Sequence, residues 1–374
     1  MLFRSPEEEI ESYFVWIPKY SYKLWDLGNY TIETEIDESK VHAIEIRFGN
    51  INTSDNVKGE CTTPGISGES GSCEVGDYMT HPAFLAFNTT GIWVGKFETG
   101  YSGATSVTEA ENNTTEVDKV IVKPNVYSWR SIQVANAFTV SYNYKRDLES
   151  HMMKNTEWGA VAYLSHSIYG INGEVRLNNN SSYKTGYSAV NEPTLGPTEY
   201  KDYGIDGSIT LPYNTFVGYL ASTTGNITGV YDMSGGSWEY MMGVMKDKNG
   251  NLMSGYSLTE NSGFNGTLYD GSNFTSGINF PSNKYYDVYN YYNNSRFGYF
   301  GRILGDATGE LGPFLSICSC TSWYMDDSCF VDLLYSWFDR GAVLSYGTEA
   351  GVFAFASFTG SFGYNNTFRI VFAI

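Results

Sequence analysis

The chain is written almost throughout as short apolar, aromatic-rich runs, each cut off by Gly, Asn or Asp. Runs of that length between turn-forming residues suit strands joined by turns and leave little room for helices. Clear examples are Phe14 to Ile17, Val41 to Phe48 with its alternation, Gly91 to Phe97, Gly351 to Phe355 and Phe368 to Phe372. Aromatic residues make up 16% of the 374 positions. Rings fit pleated, half-buried surfaces, so most of them are expected in the core. The remainder are suited to a binding face, because Tyr and Trp give rigid contact area at low entropic cost.

Two segments carry a helical period instead. After Ser128-Trp129-Arg130, the residues Ile132, Ala135 and Phe138 share a face. From Asn155 to Leu164, Asn155 or Thr156 can cap and Glu157 sits in the first turn, where a carboxylate is favoured. Polar Gly/Asn/Ser/Thr tracts at Thr105 to Val117, Asn172 to Gly186 and Ser254 to Ser282 read as surface loops, since no charge run or Pro-rich hinge accompanies them. No internal repeat is found. The chain therefore reads as one α+β domain over 1–374 with loop insertions near 50–80, 105–117, 172–210 and 250–285.

Lys and Arg number 23 against 41 Asp and Glu, a net charge of −18. Such a surface is repelled by phosphate backbones, which excludes nucleic acid as a partner. No apolar stretch approaches the ~18 residues of a membrane span, so no membrane insertion is expected. The opening MLFRSPEEEIES contains no apolar signal-peptide core. That agrees with a virion protein assembled in the cytoplasm and with a fragment of an exported one. Cys61 and Cys73 bracket a Gly/Ser/Pro-rich loop that a disulfide could close. Cys318, Cys320 and Cys329 leave one thiol over and lack the paired spacing of a zinc site.

Six segments in order carry a family likeness: FVWIPKY (Phe14 to Tyr20), GIWVGKFETG (Gly91 to Gly100), KPNVYSW (Lys123 to Trp129), HMMKNTEWGAVAYL (His151 to Leu164), GVYDMSGGSWEYMMG (Gly229 to Gly243) and the closing FDRGAVLSYGTEAGVFAF with NNTFRIVF. Together they resemble the formylglycine-generating-enzyme/sulfatase-modifying subclass of the C-type lectin fold. The resemblance implies twisted antiparallel strands with two helices and long irregular loops. Trp158, Trp238 and Phe368 are expected to fill the core. Asp232 and Glu239 are expected to bond the amides of the Gly235-Gly236 turn between them, and Arg369 to pair with an interior carboxylate.

The family's enzymes oxidise cysteine through a copper-binding cysteine pair near the C-terminus, because soft sulfur holds Cu(I). From Phe330 to Ile374 this chain has no cysteine. Related iron enzymes use a histidine cluster, whereas His42, His81, His151 and His166 show no ligand spacing; His151 reads as a surface or capping residue. Gly236 stands where the family commonly has an asparagine that contributes to a calcium site in some members, which argues against calcium. Asp326-Asp327 reads as a solvated pair. No catalytic motif of another class is present. The expectation is a non-enzymatic protein without a cofactor.

The same fold is the scaffold of variable proteins of diversity-generating retroelements, which include phage receptor-binding tips and bacterial surface proteins. The chain resembles them in Trp337-Phe338-Asp339-Arg340-Gly341 and Phe368-Arg369-Ile370-Val371. Residues 326–374 are then the variable region. Its expected ligand-facing positions are Asp332, Leu333, Leu334, Tyr335, Val343, Leu344, Ser345, Tyr346, Ala356, Ser357, Phe358, Ser361, Phe362, Tyr364 and Asn365. Adenine-directed mutation of AAY codons cannot produce Lys, Gln, Glu, Met or Trp, and every one of these positions obeys that limit. Glu349 does not and joins the frame, while Phe353 and Phe355 alternate as buried residues. The expected partner is a host-surface protein or glycan, met outside the cell or from a virion, with a homo-oligomer or larger fibre as the assembly. A structural fibre or pilus-tip subunit is the first alternative, and an oxidase of the formylglycine-generating type the second.

Overall fold

Of the runs marked as strands, Phe14 to Ile17, Gly91 to Phe97 and Phe368 to Phe372 hold paired strands, while Val41 to Phe48 pairs only over Ile46–Phe48. The computed structural model describes residues 10–27, 40–48, 60–61, 73–190, 210–245, 261–268, 278–289, 303–312, 314, 318–332 and 334–374. Within them the protein is mixed α+β with open sheets. One sheet joins the ends of the chain. Strand Phe14–Pro18 pairs antiparallel with Gly91–Gly95, whose other edge takes Ile370–Phe372, and His151–Met152 follows. Ile92 and Val94 turn into the core while Trp93 between them faces outward, the period of two expected of a pleated strand.

The second large sheet has seven strands and is organised by Trp238–Met245, buried along its whole length. It pairs antiparallel with Trp337–Arg340 but parallel with Asp287–Tyr289 and with Asn366–Thr367. Beyond Trp337–Arg340 lie Phe355–Phe358, Ser328–Cys329 and Cys318–Ser319. The sheet is therefore not the purely antiparallel arrangement expected. A strand buried on both faces accepts partners of either direction, and short segments arriving from long loops supply both. The strand expected at Gly351 to Phe355 starts only at Phe355. Ahead of it, side chains replace the ladder: Asp326 Oδ2 accepts from Phe353 N at 3.0 Å and Trp158 Nε1 donates to Val352 O at 2.8 Å. Asp326 is thus buried, not solvated.

Helix α1 spans Val134–Tyr144, with Ile132, Ala135 and Phe138 buried, and α2 spans Asn155–Ser165. Neither Asn155 nor Thr156 caps α2. Asp287 does so from the sheet, accepting from Thr156 N at 2.7 Å and Thr156 Oγ1 at 3.1 Å. Glu157 reaches back to Lys154 N at 2.9 Å, the glutamate half of a capping box. His151 is fully buried and bonded to Glu157 at 2.9 Å, which corrects its reading as a surface residue. Gly159 has a steric reason: a Cβ there would lie 2.0 Å from Gly305 O.

Trp158, Trp238 and Phe368 are core residues as expected. So is the pairing of Arg369, which grips Glu239 through Nε at 2.9 Å and through Nη2, and also donates to Gly95 O and Tyr231 O. The Gly235-Gly236 turn is held differently from expectation. Glu98 Oε1 accepts from Ser237 N at 2.8 Å, while Asp232 accepts from Gly186 N and Asn178 Nδ2. Cys318 and Cys329 form a disulfide between paired strands, leaving Cys320 free. Cys73 is disulfide-bonded; the side chain of Cys61, its expected partner, lies outside the described residues. Among the described residues no helix is long and apolar enough to cross a membrane.

Candidate ligand-binding surface

The surface begins with strand register. Trp337–Arg340 and Phe355–Phe358 pair so that Trp337 opposes Phe358 and Asp339 opposes Ala356. Opposed residues share a face, so Trp337, Asp339, Ala356 and Phe358 project to one side and Phe338, Arg340, Phe355 and Ser357 to the other. Phe338 and Phe355 belong to the main core. The first side carries the candidate surface.

From Phe358 the chain returns across this side, from Trp337 to Trp238, as loop 359–365. Donors outside the loop hold its main chain. Val134 N donates to Gly360 O at 3.1 Å, Tyr240 Oη to Ser361 O at 2.7 Å, Arg130 Nη1 to Tyr364 O, and Trp238 N to Asn365 O at 2.8 Å. Arg130 is itself fixed, with its guanidinium 3.7 Å from the Tyr183 ring centre and an ion pair to Glu111 at 2.6 Å. All four acceptors are backbone carbonyls, so these bonds do not depend on which side chains the loop carries. Phe362 and Tyr364 stand 62% and 77% exposed on it. Ser361 and Asn365 are half-buried, the latter accepting from Tyr183 Oη at 3.2 Å.

The other expected positions divide. Tyr346 is 39% exposed and packs edge-on against Trp238, ring centres 5.3 Å apart, with Ser345 exposed beside it. Val343 and Leu344 do not reach solvent; at 2% and 9% exposure they pack under Trp238 with Leu177 and Ala189. Two apolar neighbours entering the turn Leu344–Glu349 fill that gap in preference to facing water. Ser357 also leaves the surface. Strand alternation turns it to the far side, where its Oγ lies 3.6 Å from Cys329 Sγ. Ala356 and Phe358 stay on the near side, half-buried. Asp332 is spent on its own turn, accepting from Leu334 N and Tyr335 N at 2.7 and 2.8 Å, which leaves Leu334 and Tyr335 exposed. Leu333 lies outside the described residues.

Carboxylates gather beneath Tyr346. Asp339 is 3% exposed; its Oδ2 accepts from Asn366 Nδ2 at 3.1 Å and its Oδ1 has no partner among the described residues. Burial pushes its carboxyl up to about 8. Asp327 is pushed up to about 6 by burial and by the charge of Glu349. Burial and Glu349 drive the Cys320 thiol up to about 12, so it stays protonated and is no poised nucleophile. Among the described residues no group of three or more His, Cys, Asp or Glu is placed to hold a metal. Gly236 offers no side-chain oxygen for calcium, and Glu98 Oε1 sits 2.4 Å from where its Cβ would be.

Sequence reasoning passed over Arg130, Tyr183, Tyr240 and Asp339 as members of this surface. Only Asp339 had a signal: two residues after Trp337 in one strand, it had to share that ring's face. No protein-family profile matches the chain, and no curated protein matches it.

Proposed function

We propose that this chain is a non-enzymatic binding module of the C-type-lectin fold, of the formylglycine-generating-enzyme subclass, that displays a sequence-tolerant C-terminal face to a host-surface protein or glycan. On this reading it works outside the cell or on a virion, as the variable protein of a diversity-generating retroelement. The observation that carries the reading is the grip on loop 359–365. Its backbone is held by Val134, Arg130, Trp238 and Tyr240, none of which belongs to the loop, while Phe362 and Tyr364 extend into solvent. A loop fixed through its carbonyls can exchange side chains without losing its path, which is what a diversified reader requires. Large exposed rings are otherwise an aggregation hazard, and a partner's surface removes it.

The test is a display library randomised at Tyr346, Phe358, Ser361, Phe362 and Tyr364, selected against immobilised proteins and glycans. Most members are expected to fold with melting temperatures near the parent's, and selection is expected to return binders. A library in which most members fail to fold sinks the reading. At the gene, a neighbouring reverse transcriptase and a near-copy of the 3′ codons with adenines at these positions are expected.

A further inference from the structure

Strand Phe14–Pro18 ends its sheet, with Gly91–Gly95 on one side and no described strand on the other. Register fixes which of its main-chain groups are spent. Lys96 N donates to Tyr13 O at 2.9 Å and Lys19 N to Thr90 O at 2.8 Å, both in line with Phe14 opposite Gly95. Bonded pairs alternate along an antiparallel ladder, so Tyr13, Val15, Ile17 and Lys19 turn their N–H and C=O toward Gly91–Gly95. Ser12, Phe14, Trp16 and Pro18 turn theirs to the open edge. Such an edge is a template for another strand, and Pro18, which has no N–H to offer, guards one end of it.

The side chains along this edge are apolar and incompletely covered. Trp16 lies directly across from Trp93, ring centres 5.2 Å apart, and Trp93 is 36% exposed; Phe14 and Val15 are half-buried. Opposite charges bracket the strand at equal distance from Val15: Glu11, exposed, and Lys19, half-buried. Among the described residues neither is in an ion pair. We propose that edge 12–18 pairs antiparallel with the same edge of a second copy of this chain, about a two-fold axis at Val15. Phe14 and Trp16 then exchange N–H and C=O bonds with Trp16 and Phe14 of the second copy, and Ser12 N donates to its Pro18 O, a bond that asks nothing of the proline nitrogen.

Charge selects the axis. Centred on Val15, the seam sets Glu11 opposite Lys19 of the second copy and Lys19 opposite its Glu11, in the closely spaced non-bonded positions where side chains meet. Centred on Phe14 it would set Glu11 against Ile17, and centred on Trp16 it would set Lys19 against Tyr13. On the outer face Phe14 of the second copy lies beside Trp16, so the Trp16–Trp93 pair gains an aromatic neighbour in place of water. Each copy carries a net charge of −18, which opposes association. At physiological ionic strength that repulsion reaches only about 8 Å, so the charges at the seam outweigh it. The seam is one strand wide, which makes the dimer a reversible one. This inference does not depend on the reading of the C-terminal face; if both hold, the dimer offers two binding faces to one target surface.

The experiment is sedimentation equilibrium of the full chain across micromolar concentrations at physiological ionic strength. A reversible monomer–dimer equilibrium is expected. Glu11→Lys and Lys19→Glu each place like charges opposite one another and are expected to weaken the dimer at least about tenfold. The chain carrying both substitutions restores the pair with its signs exchanged and is expected to regain the parent's affinity. Neither side chain belongs to the core, so these variants fold. In a Cys320→Ser background, Val15→Cys is expected to give a disulfide-linked dimer under mild oxidation, because non-bonded partners on the axis stand about 4.5 Å apart at Cα, within a disulfide's reach. A chain that stays monomeric at every concentration overturns the proposal, as it would if another part of the same chain occupied the edge. So does a dimer that either single reversal leaves intact, that the double reversal fails to restore, or that Val15→Cys fails to cross-link.

Discussion

Arg369 lies wholly buried with its guanidinium fully engaged, and three carboxylates surround it. Burial and the neighbouring charges of Asp232 and Glu239 hold Glu98 well above the usual carboxylate range, while Glu239 pairs with the arginine. Removing one partner of such a pair leaves the other charged and dry. Glu239→Ala is expected to cost about 3–5 kcal/mol, measured by denaturant unfolding. A cost under about 1 kcal/mol would show that solvent reaches the arginine. The pairing was legible because an arginine in an otherwise apolar run, Phe368-Arg369-Ile370-Val371, has to meet a carboxylate inside. Which carboxylate it meets was not, since Glu239 lies 130 positions away and competes with Asp232 and Glu98 for the same cation.

At the level of elements, the two helices were readable because their period and first-turn residues are local. The cap of α2 was not, because it arrives from the strand Asp287–Tyr289. Asp287→Ala frees both Thr156 N and Thr156 Oγ1, and is expected to lower stability by about 1–2 kcal/mol. Asp287→Asn, which retains a side-chain oxygen, should recover part of the loss in the same thermal melts. The late start of the strand before Phe358 was hidden for a similar reason: Asp326 and Trp158 satisfy the backbone ahead of it from a distance. Val343, Leu344 and Ser357 show the limit from the other side. The residue pattern identified the segment as a surface, but only register and the gap under Trp238 decide which of its side chains emerge.

Across the whole molecule the buried acids set a pH dependence. Asp287 and Asp327 are pushed up to about 6 and Asp339 to about 8, each chiefly by burial. The folded protein therefore holds protons that the unfolded chain has shed, and stability is lost as pH rises from about 4 through each folded value. His81 and His166, pushed down to about 3 and about 4 by burial, act in the opposite sense at lower pH. They fall silent above about 6.5, where histidine in the unfolded chain is neutral too. Between pH 6.5 and 8 the melting temperature is thus expected to fall, and Asp339→Asn should flatten that slope. A melting temperature that rises over this interval would contradict the burial assigned to Asp339.

The strand Ile370–Phe372 is made long after Gly91–Gly95 and His151–Met152, yet it is inserted between them. The two earlier strands therefore keep an open seam between them until Ile370–Phe372 has been synthesised. Everything coded between Trp337 and Phe368 must be made before that seam can close. A change in that stretch that misdirects Ile370–Phe372 leaves the core beside Gly91–Gly95 exposed to chaperones and proteases.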